Sequence, residues 1–193
     1  SLLWTEQAVT TASNKAEGDY FGSSASMTDT YALIGAVHAD PGSVPNAGAA
    51  YVFVRSGTEW DEQAILTASN KAADDQFGFC GCETNNYALI GARLADPSSV
   101  NNAGAAYVFV RSETGWSEQA ILTASNKAPN TEFGYSVSLT DNYALVGARY
   151  TSPDSISVAG AAYVFVRSGT TWSQQAYLTA SNKVNDDYFG ESV

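Results

Sequence analysis

The chain has little of what catalysis, metal binding and nucleic-acid binding require. Its 193 residues include two cysteines, one histidine and nine basic residues against 20 acidic ones, for a net charge of −11 at pH 7. A negative field of this size repels phosphate backbones and anionic lipid. No apolar run approaches the roughly 20 residues that span a bilayer. We therefore expect no nucleic-acid partner and no membrane insertion.

A candidate catalytic set is also missing from the sequence. The single histidine, His38, lies in a loop whose sequence varies along the chain, and a lone histidine there is typically a solvated side chain. No nucleophile elbow, phosphate-binding glycine loop or zinc-protease motif occurs. We expect no enzymatic activity, no catalytic residue and no cofactor.

What the chain has instead is a period of 56 residues without insertion or deletion. Such a period indicates one supersecondary unit copied in tandem. We assign residues 1–20 to the leading outer strand and connector of a partial repeat, 21–76, 77–132 and 133–188 to full repeats, and 189–193 to the start of a further repeat. The recurring residues that we expect to hold the fold are Trp60, Phe77, Gly78, Gly91, Gly104, Phe109, Trp116, Phe133, Gly134, Gly147, Gly160 and Trp172.

Each repeat divides into four short strands. In the third repeat these are "FGYSVSLT", "YALVGA", "GAAYVFVRS" and "WSQQAYLTAS", separated by turn-forming residues. The third strand is apolar on both faces, so each sheet needs a neighbouring sheet on each side. We predict an all-β chain of tandem four-stranded antiparallel blades of the β-propeller type, open or part of a larger array.

The two cysteines, Cys80 and Cys82, form a lone C-G-C that is neither a disulfide framework nor a zinc site. Residues i and i+2 of a strand face the same side, so the sulfurs are expected to be neighbours. Serines occupy the equivalent positions in the other repeats. We interpret the cysteines as small side chains in serine positions, with a redox role as the alternative.

The ordered landmarks "FGYSV", "YALVGA", "AGAAYVFVR", "W" and "LTAS" resemble the FG-GAP repeats of integrin-α-type β-propellers. The resemblance covers the whole chain. It implies a four-stranded blade for each repeat, in propellers usually of seven blades. It also implies an extracellular or cell-surface location, since most such proteins serve in adhesion and ligand binding.

Many members of that family carry a calcium loop of the D-x-D-x-D-G type between the second and third strands. The loops of this chain offer one aspartate each, Asp40, Asp96 and Asp154, and the third is shifted. Calcium takes six to eight oxygen ligands, several of them carboxylates. We expect no metal site, with weak calcium binding through loop carbonyls at these three aspartates as the alternative.

Carboxylates precede each Phe-Gly pair, and the nearest ones are Asp19, Asp75, Glu132 and Asp187. Equivalent positions of stacked blades lie at the same end of the molecule. These carboxylates are expected to aid solubility, and the functional alternative is a rim that faces cations or a partner.

Three full repeats do not close a propeller, because closed rings have at least four blades. Two interpretations remain open: a window of a longer run of repeats, or a short subunit whose exposed end strands pair with the next copy. The favoured function is a non-catalytic extracellular structural protein that self-associates into a filament or surface assembly, with other copies or further repeats as partners. The alternative is a fragment of an adhesion propeller that binds an unknown ligand through the loops 37–47, 93–103 and 149–159.

Overall fold

The chain folds into three four-stranded antiparallel sheets, seen in a computed structural model that describes residues 5–193. Within each sheet, neighbours in sequence are neighbours in space. The prediction of an all-β chain of tandem, open, four-stranded blades is confirmed. The strands are β1 (Phe21–Met27), β2 (Tyr31–Ala36), β3 (Ala49–Ser56), β4 (Glu59–Leu66), β5 (Phe77–Glu83), β6 (Tyr87–Ala92), β7 (Ala105–Ser112), β8 (Gly115–Leu122), β9 (Ser136–Leu139), β10 (Tyr143–Ala148), β11 (Ala161–Ser168) and β12 (Thr171–Leu178).

The turns follow from local chemistry. Between β1 and β2, the Thr28 hydroxyl accepts the Tyr31 N–H at 3.0 Å and closes the hairpin. Between β3 and β4, Gly57 supplies the positive φ of 64° that a tight turn needs. A proline opens a short 3-10 turn in each loop between the second and third strands, at Pro41–Ser43, Pro97–Ser99 and Pro153–Ser155.

The sheets stack face to face, and the apolar third strands explain why. We call the contact between consecutive sheets a joint. At the first joint, Leu33 and Val52 of the first sheet pack with Phe77, Ile90 and Tyr107 of the second. The same positions of the second and third sheets form the second joint. The middle sheet is thus covered on both faces, as its two-sided apolar pattern requires.

The Phe-Gly pair fastens each sheet to the one before it. The Phe77 N–H donates to the Ala47 carbonyl at 2.9 Å, and Phe77 forms a parallel bridge with Gly48. At the next joint, the Gly134 carbonyl lies against Gly91, where any Cβ would overlap it. The glycine of "LIGA" is therefore needed for close approach of the following sheet.

The expected leading outer strand is absent from the described part of the segment 1–20, because residues 5–20 contain turns and no strand. In the full repeats this strand pairs with the third strand of its own sheet, and no such partner lies among residues 5–20. Trp4, which belongs to the same prediction, lies outside the described residues. At the other end, Phe189 forms a parallel bridge with Gly160, as Phe77 does with Gly48.

Candidate functional site

The first joint is held by aromatic and polar side chains beyond its apolar core. Phe77, whose N–H bonds to the loop of the first sheet, packs its ring edge to face against Tyr107 and Phe109 of its own sheet, with centroids 5.3 and 6.0 Å apart. The Trp116 ring meets Tyr31 edge to face at 6.0 Å, and its indole N–H donates to the Gln63 side-chain oxygen at 2.9 Å. The joint therefore has directional contacts that set its register.

The second joint repeats these contacts at equivalent positions. Phe133 lies 5.2 Å from Tyr163, and Trp172 lies 6.1 Å from Tyr87. The Trp172 indole donates to the Gln119 oxygen at 2.8 Å. The two joints are therefore built alike.

The third sheet presents the same surface, and none of the described residues 5–193 forms a further sheet against it. Leu178 is 41% exposed, whereas the equivalent Leu66 and Leu122 are 4% and 3% exposed within their joints. Tyr143 is 49% exposed, whereas the equivalent Tyr31 is 6% exposed. The surface formed by Tyr143, Leu145, Val164 and Leu178 is called the trailing face.

The first sheet presents the complementary surface. Ala88 and Ile90 are fully buried at the first joint, and their equivalents Ala32 and Ile34 are only half buried. Met27 beside them is 68% exposed. The surface formed by Ala25, Met27, Ala32 and Ile34 is called the leading face. The trailing and leading faces are the two halves of one joint.

The aspartates proposed as weak calcium ligands are engaged within their loops. Asp40 accepts the Asn46 N–H at 2.7 Å, and Asp96 accepts the Asn102 N–H at 2.6 Å. In the third repeat Ser152 takes this position, while Asp154 forms an ion pair with Lys183 at 2.9 Å. Residues 5–193 contain no group of three or more histidines, cysteines and acidic residues able to hold a metal ion.

Two of the four carboxylates that precede the Phe-Gly pairs are buried, so neither the expected role in solubility nor the alternative of a partner-facing rim fits them. Asp75 is 5% and Glu132 is 8% exposed. Asp75 accepts the Ala72 N–H at 2.7 Å, and burial raises its pKa above the ordinary range. Asp19 and Asp187 make the same turn near the ends of the chain, where Asp19 is half buried and Asp187 is exposed.

Glu132 is buried because it neutralises arginines of two consecutive sheets. Its carboxylate lies 3.2 Å from Arg93 and 3.7 Å from Arg149. Arg149 also stacks 3.8 Å over the Tyr135 ring and lies 3.3 Å from Glu191. Glu132 thus contributes to the second joint and does not offer a free carboxylate to a ligand.

The Cys80 thiol makes the same hydrogen bond as the serines at the equivalent positions of the other repeats. Its thiol donates to the Gly134 carbonyl at 3.1 Å, as the hydroxyls of Ser24 and Ser136 donate to Gly78 and Gly190 at 3.0 and 2.7 Å. Burial raises the pKa of Cys80 to about 12. Burial also raises the pKa of Cys82. Both side chains are thiols at neutral pH, and the structure describes them as free.

Sequence reasoning missed a buried carboxylate at the first joint. Glu83 is 9% exposed, and neither of its carboxylate oxygens meets hydrogen-bond geometry. Burial raises its pKa, and the nearby Ser26 hydroxyl offsets that only in part. The repeat indicated this burial, because the apolar residues Met27 and Leu139 occupy the positions equivalent to Glu83.

His38 has no catalytic partner in the described residues. Its ring meets Tyr20 edge to face at 4.7 Å, and its backbone N–H donates to the Asp19 carbonyl at 3.2 Å. It lines a cavity of about 300 Å³ with Asn14 and Asp40. These contacts fit a loop side chain that packs on its neighbour.

Comparison with protein families gives one match, to a family described as FG-GAP repeat, over residues 4–53, 60–109 and 116–165. No curated protein matches the chain. Among residues 5–193, no helix is both long and apolar enough to cross a membrane.

Proposed function

The chain belongs to the FG-GAP repeat family, and from that premise we propose that it is a non-catalytic structural protein that acts outside the cell. Its trailing face binds the leading face of a second copy. Repetition of this contact builds a filament or a surface assembly. The extracellular setting rests on the family, whose repeats are typical of cell-surface proteins.

One observation carries the proposal: Leu178 is 41% exposed where its two equivalents are 4% and 3% exposed. Full burial of a leucine contributes about 1.5–3 kcal/mol. Tyr143 and Val164 share the same surface. Exposed apolar patches of this kind are typical of protein–protein contacts.

A second copy fits the trailing face because each copy carries both halves of the joint. Leu145 and Val164 of the trailing face are equivalent to Leu33 and Val52 at the first joint. Ile34 of the leading face is equivalent to Ile90 there. The two halves lie on different sheets of one copy, so the contact is heterologous. A heterologous contact extends without limit unless its rotation closes a ring.

The test is the assembly state of the full chain as a function of concentration, measured by sedimentation velocity and electron microscopy. We expect concentration-dependent oligomers of the wild-type chain. Leu178→Glu places a charge on the trailing face and is expected to leave a folded monomer, because the residue is already exposed. Thr170→Glu adds the same charge in the β11–β12 turn and should assemble like the wild type.

A wild-type chain that stays monomeric at every concentration, with Leu178→Glu identical to it, would contradict the proposal. The alternative would then gain: a piece of a ligand-binding or adhesion propeller whose loops 37–47, 93–103 and 149–159 make the contacts.

A further inference from the structure

Consecutive sheets are bridged by a ten-residue connector that ends in the Phe-Gly pair. The four connectors are residues 13–22, 69–78, 125–134 and 181–190. Connector 69–78 binds both of its neighbours. Its backbone donates to the first sheet's loop, from Asp74 to Pro45 at 2.9 Å, and its Ser69 bonds with Glu118 of the second sheet at 2.9 and 2.7 Å.

The N-terminal connector, residues 13–22, makes only the second set of these contacts. Ser13 bonds with Glu62 at 2.9 and 2.6 Å, and Asn14 accepts the Tyr51 hydroxyl at 2.8 Å. The Phe21 ring meets Tyr51 edge to face at 5.3 Å. This connector covers the position on the first sheet where a preceding blade would attach.

The C-terminal connector, residues 181–190, makes only the first set. Its backbone donates from Asp186, Tyr188 and Phe189 to the loop of the third sheet at 3.0, 3.2 and 2.9 Å. The Phe189 ring is 37% exposed, whereas Phe77 and Phe133 are fully buried. This connector therefore leaves exposed the side chains, Phe189 among them, that would be buried against a following blade.

The two terminal connectors are copies of each other, "SNKAEGDYFG" and "SNKVNDDYFG", with seven of ten residues identical. Each internal joint holds a single connector. When the trailing face of one copy meets the leading face of another, the joint receives two connectors for one position. Two chain segments cannot occupy the same space, so one of them must leave.

We infer that the contact between copies forms by exchange: the C-terminal connector of one copy displaces the N-terminal connector of the next from its first sheet. This inference rests on the self-association proposed above. Residues 13–22 are then a built-in competitor that covers the site until a second copy binds, and the partner segment is residues 181–190 of that copy.

The direction of exchange follows from how firmly each connector is held. The C-terminal connector shares three backbone hydrogen bonds with its own sheet's loop and adds the Lys183–Asp154 ion pair. In the described residues the backbone attachment of the N-terminal connector to the first sheet is confined to its last residues. The His38 and Ser23 N–H groups donate to the Asp19 and Tyr20 carbonyls at 3.2 and 3.0 Å, and Phe21 pairs with Ala36 at the start of β1. Ser13 and Asn14 attach through hydrogen bonds that each involve a side chain, which a copy of the same sequence can replace.

Two mirror-image substitutions test the exchange in the full chain. Asn14→Ala removes the Tyr51 hydrogen bond of the resident connector, so the incoming Asn182 gains an advantage and self-association tightens. Asn182→Ala removes the same bond from the incoming segment, so self-association weakens. Asn182 is exposed in the isolated copy, so its loss should leave the fold intact. One hydrogen bond contributes on the order of fivefold in each dissociation constant.

Sedimentation equilibrium gives the dissociation constants, and Asn70→Ala is the matched control. Asn70 accepts the Tyr107 hydroxyl at 3.0 Å inside the first joint, where no exchange takes place. The Asn70→Ala substitution should lower the free energy of unfolding of the chain and leave the dissociation constant unchanged. Opposite shifts for Asn14→Ala and Asn182→Ala support the exchange.

The failures of the two proposals are distinguishable. Association that responds equally, or not at all, to Asn14→Ala and Asn182→Ala overturns the exchange while self-association stands. A wild-type monomer that associates once Asn14 is replaced overturns self-association of the unsubstituted chain and supports the competition between the two connectors, since the resident connector then blocks assembly. A chain that stays monomeric as the wild type and with either substitution overturns both proposals.

Discussion

At the scale of single residues, the buried carboxylate of Glu83 is the least favourable feature of the first joint. Neither of its oxygens meets hydrogen-bond geometry, and the equivalent residues of the other repeats are Met27 and Leu139. Burying an unsatisfied charged or polar group costs free energy that an apolar side chain of similar size avoids. The repeat itself thus supplies the stabilising substitution, Glu83→Leu.

We expect Glu83→Leu to raise the free energy of unfolding by about 1–3 kcal/mol at pH 7, measured by urea denaturation. Because burial raises the folded-state pKa of Glu83, the folded state binds the proton more tightly than the unfolded state. Wild-type stability should therefore fall as the pH rises from the ordinary value of 4.5 through the raised pKa. The variant lacks this loss, so its advantage shrinks toward acid pH.

The control for Glu83 is Glu113→Leu in the exposed β7–β8 turn, which should change stability by less than about 0.5 kcal/mol. An advantage of Glu83→Leu that is equal at pH 4 and pH 7 would show that the pKa of Glu83 is the same in the folded and unfolded states, and it would contradict the burial argument.

The burial of acidic side chains is a second residue-scale feature that the sequence did not reveal. Asp75 and Glu132 were expected at the surface because they are acidic, yet both are buried. Their partners are a nearby backbone N–H in one case and two arginines of consecutive sheets in the other. The arginine pairing depends on how the sheets stack, which the spacing along the chain does not reveal.

At the scale of the strand and sheet, the close approach at Gly91 sets how tightly two sheets meet. The Gly134 carbonyl and the Cys80 sulfur lie where a Cβ of residue 91 would be. The carbonyl belongs to the backbone of the next connector and cannot move without breaking its own contacts. A side chain at this position would push the sheets apart.

We expect Gly91→Ala to lower the free energy of unfolding by about 1–3 kcal/mol, followed by thermal or urea unfolding. Gly81→Ala in the same sheet is the matched control. A Cβ there meets the tip of the Leu33 side chain, and the other repeats carry Ala25 and Val137 at this position. Gly81→Ala should be neutral or stabilising, because alanine reduces the freedom of the unfolded chain. Equal losses for both would refute the close-approach argument.

The strands themselves were predictable because their signal is local: alternation or a two-sided apolar run, bounded by turn residues. Gly91 was recognised as a landmark from its recurrence, although its reason lies in the next sheet. The leading strand predicted in residues 1–20 is not found in the described residues 5–20, because the third strand with which it pairs in the full repeats does not lie among them. Sequence similarity between repeats identifies a segment and does not supply its neighbour.

At the scale of the whole molecule, assembly brings together copies that each carry a net charge of −11. Like charges oppose association over the Debye length, which is roughly 10 Å at 0.1 M salt and about 30 Å at 0.01 M. The trailing and leading faces are largely apolar, and the contacts that both internal joints share include aromatic packing and a neutral tryptophan–glutamine hydrogen bond. Salt should therefore screen the repulsion and leave most of the attraction unchanged.

We expect self-association to tighten when sodium chloride is raised from roughly 20 mM to roughly 300 mM, since the longer-range repulsion is then screened. The dissociation constant from sedimentation equilibrium is the measure, and Leu178→Glu should stay monomeric across the series. The ion pairs of the second joint, Glu132 with Arg93 and Arg149, act in the opposite sense, but they lie within one copy. The equivalents in the first repeat are Tyr20 and Val37, so a contact between copies through the leading face has a weaker ionic contribution of this kind. Association that weakens with salt would place ion pairs at the contact and refute an apolar joint as its basis.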